Sequence, residues 1–202
     1  MKKIICTFIA FTMMMVTPVV TKAMEKGAFV AEVETSYANP DTGLTVDGGT
    51  NIALGDSMCA SIMEDQVLIE QTEDKMYVTA GLGLMSNVSD VSMKVMDADG
   101  EFRDVELTLT GSCERDGDTC NHYRFEMNPE DKYFSPVIFV TPMGRNVQFF
   151  VKINYDSAQP GTGNFTSEMI QETSSEAEEI HQSQRNLLKN QQNRQKRQKN
   201  QK

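Results

Sequence analysis

Apolar and polar residues alternate in short runs along the middle of the chain. The runs are rich in Val, Ile, Phe, Tyr and Thr, and turn clusters such as PDTG, VDGG, DADG and RDGD separate them. Half-buried strands joined by tight turns give this pattern. Eight runs fit it: GAFVAEVETSY, DQVLIEQTE, KMYVTAGLGLM, VSMKVMDADG, FRDVELTLTG, HYRFEM, SPVIFVTPM and NVQFFVKINY. We therefore predict an all-β fold, an immunoglobulin-like antiparallel β-sandwich, with a barrel as the structural alternative.

One segment of the same region departs from strand character. The sequence ALGDSMCASIM lies between the turn DGG and the run QVLIEQTE, and it is rich in small residues. With Ser57 as a capping residue, it predicts a short helical turn. Such a turn would form a lip over one face of the sandwich and would present Met58 and Met63 from it.

The two ends of the chain differ from the middle. Lys2 and Lys3 precede an apolar run from residue 4 to residue 20, and small residues follow, which predicts a signal peptide over 1–23. No later run approaches the roughly 20 apolar residues of a membrane span. We expect a secreted or cell-surface protein with no transmembrane anchor, a folded domain over 24–166, and a polar, helical or disordered tail over 167–202.

Charge is unevenly distributed between the domain and the tail. Residues 24–166 hold 24 acidic and nine basic side chains, whereas residues 185–202 hold seven basic side chains and no acidic one. An acidic body repels nucleic acid, so we expect no nucleic-acid partner. The basic end is either a solvated tail or a contact for an anionic cell-envelope polymer or membrane surface.

Enzyme signatures are missing from the sequence. It has no Gly-rich phosphate loop, no G-x-S-x-G nucleophile motif and no H-E-x-x-H pair. His122 is the only histidine of the predicted domain, and it lies beside a strand-like run. We therefore predict that the protein is not an enzyme.

Three cysteines follow the predicted signal peptide. Cys113 and Cys120 flank the turn sequence ERDGDT, and export permits disulfides, so a bridge across a small hairpin is the expected arrangement. Cys59 would then remain as a buried or an accessible thiol. A C-x6-C spacing with so few histidines is weak evidence for zinc.

Methionine is unusually frequent, with 14 residues and no tryptophan in the chain. Met58 and Met143 lie at the ends of predicted elements, whereas most of the others fall inside strands, where a flexible thioether fills irregular space. In TPMG, Pro142 and Gly144 favour a turn with Met143 at its tip. Because thioether sulfur is a soft donor, this pair suits haem iron or copper(I).

The segments around these two methionines carry a family resemblance. GGTNIALGDSM, GLGLMSNV and VTPMGRNVQFFVKI resemble the Shp family of cell-surface haem-binding proteins, whose domain is related in fold to the NEAT haem-transfer modules. The likeness runs from AEVETSYANPDTG to PGTGNF. It implies one haem b (iron protoporphyrin IX) held between the short helical segment and a β-hairpin. Carried over by position, the family's axial ligands fall on Met58 and Met143.

The resemblance also implies a function. It implies a carrier that receives and donates haem in a surface relay, with other surface haem-binding proteins and a haem importer lipoprotein as partners. The strand pattern adds further site residues, because a haem pocket must be apolar. Val147 and Phe149 share one face of the strand after the tip by period two, and Leu84 and Met85 end another strand, so these four are expected wall residues. Arg145 follows the tip methionine and is the expected propionate contact, with a solvated turn arginine as the alternative.

Two other function classes stay open from the residues alone. One is a surface adhesion or glycan-binding sandwich, which would expose aromatic residues on one sheet face. The other is a soft-metal (copper) chaperone that uses Met58, Met63 and Met143. Cys59, next to Met58, is a possible competitor for iron if it ionises to the thiolate.

Overall fold

A computed structural model describes residues 25–169 as strands around one helix. The predicted signal peptide and the tail beyond residue 169 lie outside the described residues. The helix α1 spans Ile52–Ile62. The strands are β1 Gly27–Ser36, β2 Met63–Gln71, β3 Met76–Leu82, β4 Val88–Met96, β5 Phe102–Val105, β6 Thr108–Arg115, β7 Asp118–Met127, β8 Tyr133–Val140, β9 Arg145–Gln148, β10 Phe150–Ile153 and β11 Gln159–Pro160, with short 3-10 turns at Thr141–Met143 and Tyr155–Ser157.

The strands form two antiparallel sheets that share β1. Residues 27–32 of β1 pair with β2, and the first sheet continues through β3 and β7 to β6. Residues 33–36 of β1 pair with β10, and the second sheet continues through β8 and β4 to β5. The strand β9 pairs with β8 beside β10, and β11 pairs with the start of β1.

The core lies between the two sheets. Phe125 of the first sheet meets Phe134 of the second, with ring centroids 5.1 Å apart, and both rings are buried. Large apolar residues of both sheets belong to the same buried cluster. The predicted all-β antiparallel sandwich is therefore confirmed. The barrel alternative is wrong, because β5 and β6 end the described strand order without pairing to each other.

Two of the eight predicted runs each form two strands. FRDVELTLTG divides at residues 106–107, where the chain passes from the edge of one sheet to the edge of the other. NVQFFVKINY divides at Phe149, which separates β9 from β10. The turn between β6 and β7 places Asp116 and Gly117 at φ 55° and 81°, and two successive positive φ values are typical of a type I′ hairpin turn.

The helix α1 is longer than the predicted turn, and its cap is a different residue. It covers 11 residues, and the Asn51 side chain, not that of Ser57, accepts a hydrogen bond from the Leu54 N–H at 3.3 Å. The backbone N–H of Tyr37, just beyond β1, donates to Asp56 of the helix at 2.8 Å. The absent side chain of Gly55 leaves room for the Tyr37 ring beneath the helix.

No helix between residues 25 and 169 combines the length and the apolar character of a membrane span.

Candidate functional site

A cleft of about 250 Å³ lies between α1 and the β8–β9 hairpin. One wall is the helix, and the other is the hairpin with the strand that follows it. Most of the lining side chains are apolar. The helix contributes Leu54, Gly55, Met58, Cys59 and Ile62, the hairpin side contributes Val140, Met143, Arg145, Val147 and Phe149, and Tyr37, Gly49, Thr50 and Asn51 line the remaining edge.

The two predicted ligand methionines lie on these two walls. Met58 comes from α1 and is 39% exposed, and Met143 comes from the hairpin tip and is 38% exposed. The tip is a 3-10 turn closed by the pairing of Val140 with Arg145. Gly144 ends the turn in the left-handed region, at φ 63°, and its N–H donates to the Val140 carbonyl at 2.9 Å. This backbone leaves Met143 at the mouth of the cleft.

The bottom of the cleft is buried and continuous with the core. Val147 and Phe149, two residues apart, both line the cleft from the main core cluster. Cys59 also lines it but is only 3% exposed. Burial raises the pKa of the Cys59 thiol to about 12, and the nearby Asp56 charge adds to the shift. The thiol is therefore protonated at neutral pH in the metal-free protein.

Three polar side chains form one edge of the cleft. The Tyr37 hydroxyl and an Arg145 N–H both donate to the carboxylate of Asp47. Burial, reinforced by the hydrogen bond to Asp47, raises the pKa of Tyr37. Burial also acts to raise the pKa of Asp47, but the hydrogen bonds from Tyr37 and the Gly49 N–H, together with the Arg145 charge, lower it below its ordinary value. An anchored arginine thus borders an otherwise apolar cleft.

Leu84 and Met85 lie away from the cleft. Leu84 takes a left-handed backbone conformation, with φ 57°, directly after β3, and the chain turns there. The sulfur of Met85 accepts a hydrogen bond from the Tyr123 hydroxyl at 3.7 Å. The structure therefore brings together five of the seven predicted site residues, Met58, Met143, Arg145, Val147 and Phe149, and separates these two from them.

Several cleft residues escaped the sequence analysis. Tyr37 lies at the end of β1, and Asp47 lies in the loop that follows it, both far in sequence from the hairpin that they meet. Gly55 offered a signal, because a glycine inside a helix lowers its stability and usually serves close packing. Leu54 and Ile62 are each four residues from Met58, so a helix over this segment places all three side chains on the same face.

The three described cysteines are all free thiols. Cys113 and Cys120 face each other across the β6–β7 hairpin, as the turn sequence predicted, but the expected disulfide between them is not formed.

Residues 25–170 match the family model described as "Cell surface heme-binding protein Shp". The chain belongs to this family. Two solved structures also resemble this Shp-family chain: the NEAT5 domain of IsdX2, a B. anthracis hemophore in complex with heme, and a single-residue mutant of an IsdX2 NEAT5 domain, also in complex with heme. Each is 10% identical with a TM-score of 0.41, and the matches cover 64% and 65% of this chain and 97% of the NEAT5 chain. No curated protein sequence matches this chain. Because the structural likeness is low, the family assignment rests on the family model.

Proposed function

We propose that the cleft binds one haem b and that Met58 and Met143 are the axial ligands of its iron. A single observation carries this proposal: two methionines 85 positions apart in the chain line opposite walls of one apolar cleft, and both are more than one third exposed. An apolar side chain in water gains nothing by exposure. A flat apolar ligand between the two walls would cover both thioethers.

The chemistry of the donors fits iron in a porphyrin. Thioether sulfur is a neutral soft ligand, and haem iron accepts it at an axial position. Two such ligands would fill both axial positions, which suits carriage and not oxygen chemistry. Cys59 lines the same cleft but is only 3% exposed, far less than either methionine.

Arg145 is positioned to recognise a haem propionate. One of its N–H groups is bound to Asp47, which fixes the guanidinium at the edge of the cleft, and the side chain remains 43% exposed. A guanidinium has five N–H donors, so a propionate can bind it without displacing Asp47. The apolar ring would then lie against Val147 and Phe149, with its acidic groups toward this edge.

The cleft is small for a ligand pocket. Its volume of about 250 Å³ lies below the roughly 300–1,000 Å³ of typical ligand pockets. Part of a bound haem would therefore remain outside the cleft, open to another protein. This agrees with a carrier at the cell surface that exchanges haem with other surface haem-binding proteins and with an importer lipoprotein.

The ligand assignment can be tested by the absorption spectrum of the haem complex. We expect the wild-type chain to give a stoichiometric low-spin spectrum after reduction, and Met58→Ala and Met143→Ala to lose it or change spin state. Met85→Ala is a matched control, since Met85 lies outside the cleft. A low-spin spectrum retained unchanged in both ligand variants would refute the assignment, and a wild type without any haem spectrum would refute haem binding.

The copper chaperone is the weaker candidate. It requires Met63 together with Met58 and Met143, but Met63 is only 1% exposed, belongs to the core cluster and does not line the cleft. The copper(I) site of three thioethers therefore lacks its third methionine at the cleft.

A further inference from the structure

Four potential metal ligands meet on the outer face of the first sheet, away from the haem cleft. They are Glu64 of β2, Cys113 of β6, and Cys120 and His122 of β7, and their donor atoms all lie within 4.8 Å of one another. Cys113 and Cys120 are directly paired across the hairpin. Cys120 and His122 are two residues apart on one strand, so their side chains emerge on the same face.

The spacing of these donors is close to that of a tetrahedral zinc site. Zinc bonds of about 2.3 Å to sulfur and 2.0–2.1 Å to nitrogen or oxygen place tetrahedral ligands about 3.3–3.8 Å apart. The Cys113 sulfur lies 3.4 Å from Glu64 Oε1, and His122 Nε2 lies 3.5 Å from Glu64 Oε2. The remaining pairs, at no more than 4.8 Å, need to close by only about 1 Å.

Glycines on both neighbouring strands leave room for this cluster. In the register of the sheet, His122 lies between Gly81 of β3 and Gly111 of β6. A Cβ on Gly81 would lie 2.7 Å from Cγ of Glu64, and a Cβ on Gly111 would lie 3.5 Å from Nδ1 of His122. The carboxylate of Glu64 can reach the imidazole only because residue 81 has no side chain.

The imidazole is buried without a hydrogen-bond partner for one nitrogen. His122 is 1% exposed, and its Nε2, which points to the cluster, makes no hydrogen bond. The 3.5 Å contact to Glu64 is too long for one. Phe165 packs on the imidazole with ring centroids 4.7 Å apart and so shields it from water. A buried nitrogen of this kind needs a partner, and a metal ion would supply it.

A polar groove reaches the cluster at Glu64, the one of the four donors that lines it. It has a volume of about 600 Å³, and its lining includes the carboxylates of Glu32, Glu64 and Asp65 beside the single guanidinium of Arg115. Arg115 donates to the Met63 carbonyl at 2.7 Å, which directs its charge toward the end of α1. The groove therefore attracts cations.

We propose that Glu64, Cys113, Cys120 and His122 form a structural zinc site. Two thiol protons are released to solvent as Zn²⁺ binds, so the four donors become two thiolates, one neutral imidazole and one carboxylate. Because Glu64 lies only two residues after the end of α1, the ion would fix the end of the helix that carries Met58. The proposal is independent of haem.

The test uses the full chain, prepared without haem, kept reduced and dialysed against a weak chelator. We expect about one zinc per chain by elemental analysis. Removing it with a strong chelator should lower the melting temperature, and returning Zn²⁺ after the chelator is removed should restore it. Replacing zinc by Co²⁺ should give thiolate-to-metal charge-transfer bands and the intense visible bands of tetrahedral cobalt.

Variants separate this site from other binding. Cys120→Ser and His122→Ala should lose the stoichiometric metal and the cobalt bands, whereas Cys59→Ser, which removes a buried cysteine outside the cluster, should keep both. If a variant does not fold, the cobalt spectrum and the reversible change in melting temperature of the wild type still test whether the site binds metal. A reduced wild type that binds no zinc, cobalt bands without thiolate character, or a native Cys113–Cys120 disulfide in the purified protein would overturn the proposal.

Discussion

Replacing Gly55 by alanine tests how α1 is held against the sandwich. In an unconstrained helix interior this change stabilises a protein by about 1 kcal/mol, because alanine is the better helix former. Here a Cβ at position 55 would lie 2.9 Å from Cβ of Tyr37 and closer still to two of its ring atoms. These atoms are at the root of the side chain, so they cannot move aside without moving the end of β1. Overpacking of this kind costs about 1–3 kcal/mol, and we expect Gly55→Ala to destabilise the protein.

A double-mutant cycle tests whether the Tyr37 ring is the reason that Gly55→Ala destabilises the protein. In a Tyr37→Ala background the obstacle is gone, so adding Gly55→Ala should stabilise by up to about 1 kcal/mol. Tyr37→Phe is the matched control: it keeps the ring and removes only the hydroxyl, so Gly55→Ala should remain destabilising in that background. The measurement is the free energy of unfolding in urea, without haem, at one pH. Stabilisation by Gly55→Ala in the wild type, or the same sign in all three backgrounds, would refute the packing argument.

Three further predictions concern buried charges and thiols. Glu70 is fully buried and accepts a hydrogen bond from Arg124 at 2.6 Å. Arg124→Met leaves this carboxylate without its cation, so it should lower the free energy of unfolding in urea by about 3–5 kcal/mol. Adding Glu70→Leu should recover most of that stability. Burial acts to raise the pKa of Glu70, but the hydrogen bonds from Arg124, the Met169 N–H and Ser167 lower it overall. The stability that ionised Glu70 contributes is therefore present above a pH of about 4.3 and is lost as the pH falls below that value. In melting curves from pH 3 to 7, the melting temperature of Glu70→Gln should fall less steeply toward acid than that of the wild type. Cys59, buried and with its pKa raised to about 12, should resist alkylation at neutral pH until the protein unfolds, and Cys59→Ser should leave the haem spectrum unchanged; fast native labelling or a changed spectrum would contradict this.

The sequence pattern was sufficient to predict the class of fold, but it did not show where two of the predicted runs divide into separate strands. Alternation with period two continues through residues 106–107, so the pattern gives no sign that the chain changes sheets there. The same holds at Phe149, where an apolar residue stays buried while the strand is interrupted. Strand pairing beyond the next hairpin depends on contacts between distant residues, which periodicity does not contain.

The candidate site was predictable where a motif marked it. Met58 and Met143 stood out because the pattern placed both at the ends of predicted elements, and TPMG defined the turn that holds the second. The structure places Met58 inside α1 instead of at its end. Asn51 was a recognisable helix cap before an apolar residue and could have given the correct helix start. Leu84 and Met85 were placed in the wall because they end a run of strand residues, but neither lines the cleft, and the positive φ of Leu84 had no signal in the strand pattern.

The metal-ligand cluster was beyond sequence analysis for a different reason. Cys113, Cys120 and His122 are close in sequence, but Glu64 lies 49 positions before Cys113 and reaches the imidazole across β3. Only the register of four strands, β2, β3, β7 and β6, with glycine on both sides of His122, brings the fourth donor into place.

The strand β1 has a consequence for how cargo can enter and leave. Since its first six residues are hydrogen-bonded in one sheet and its last four in the other, the two layers cannot hinge apart without breaking a continuous backbone ladder. The helix and the hairpin tip lie outside that ladder. On the proposed function, haem would therefore enter and leave by a local opening between these two walls while the two sheets stay joined.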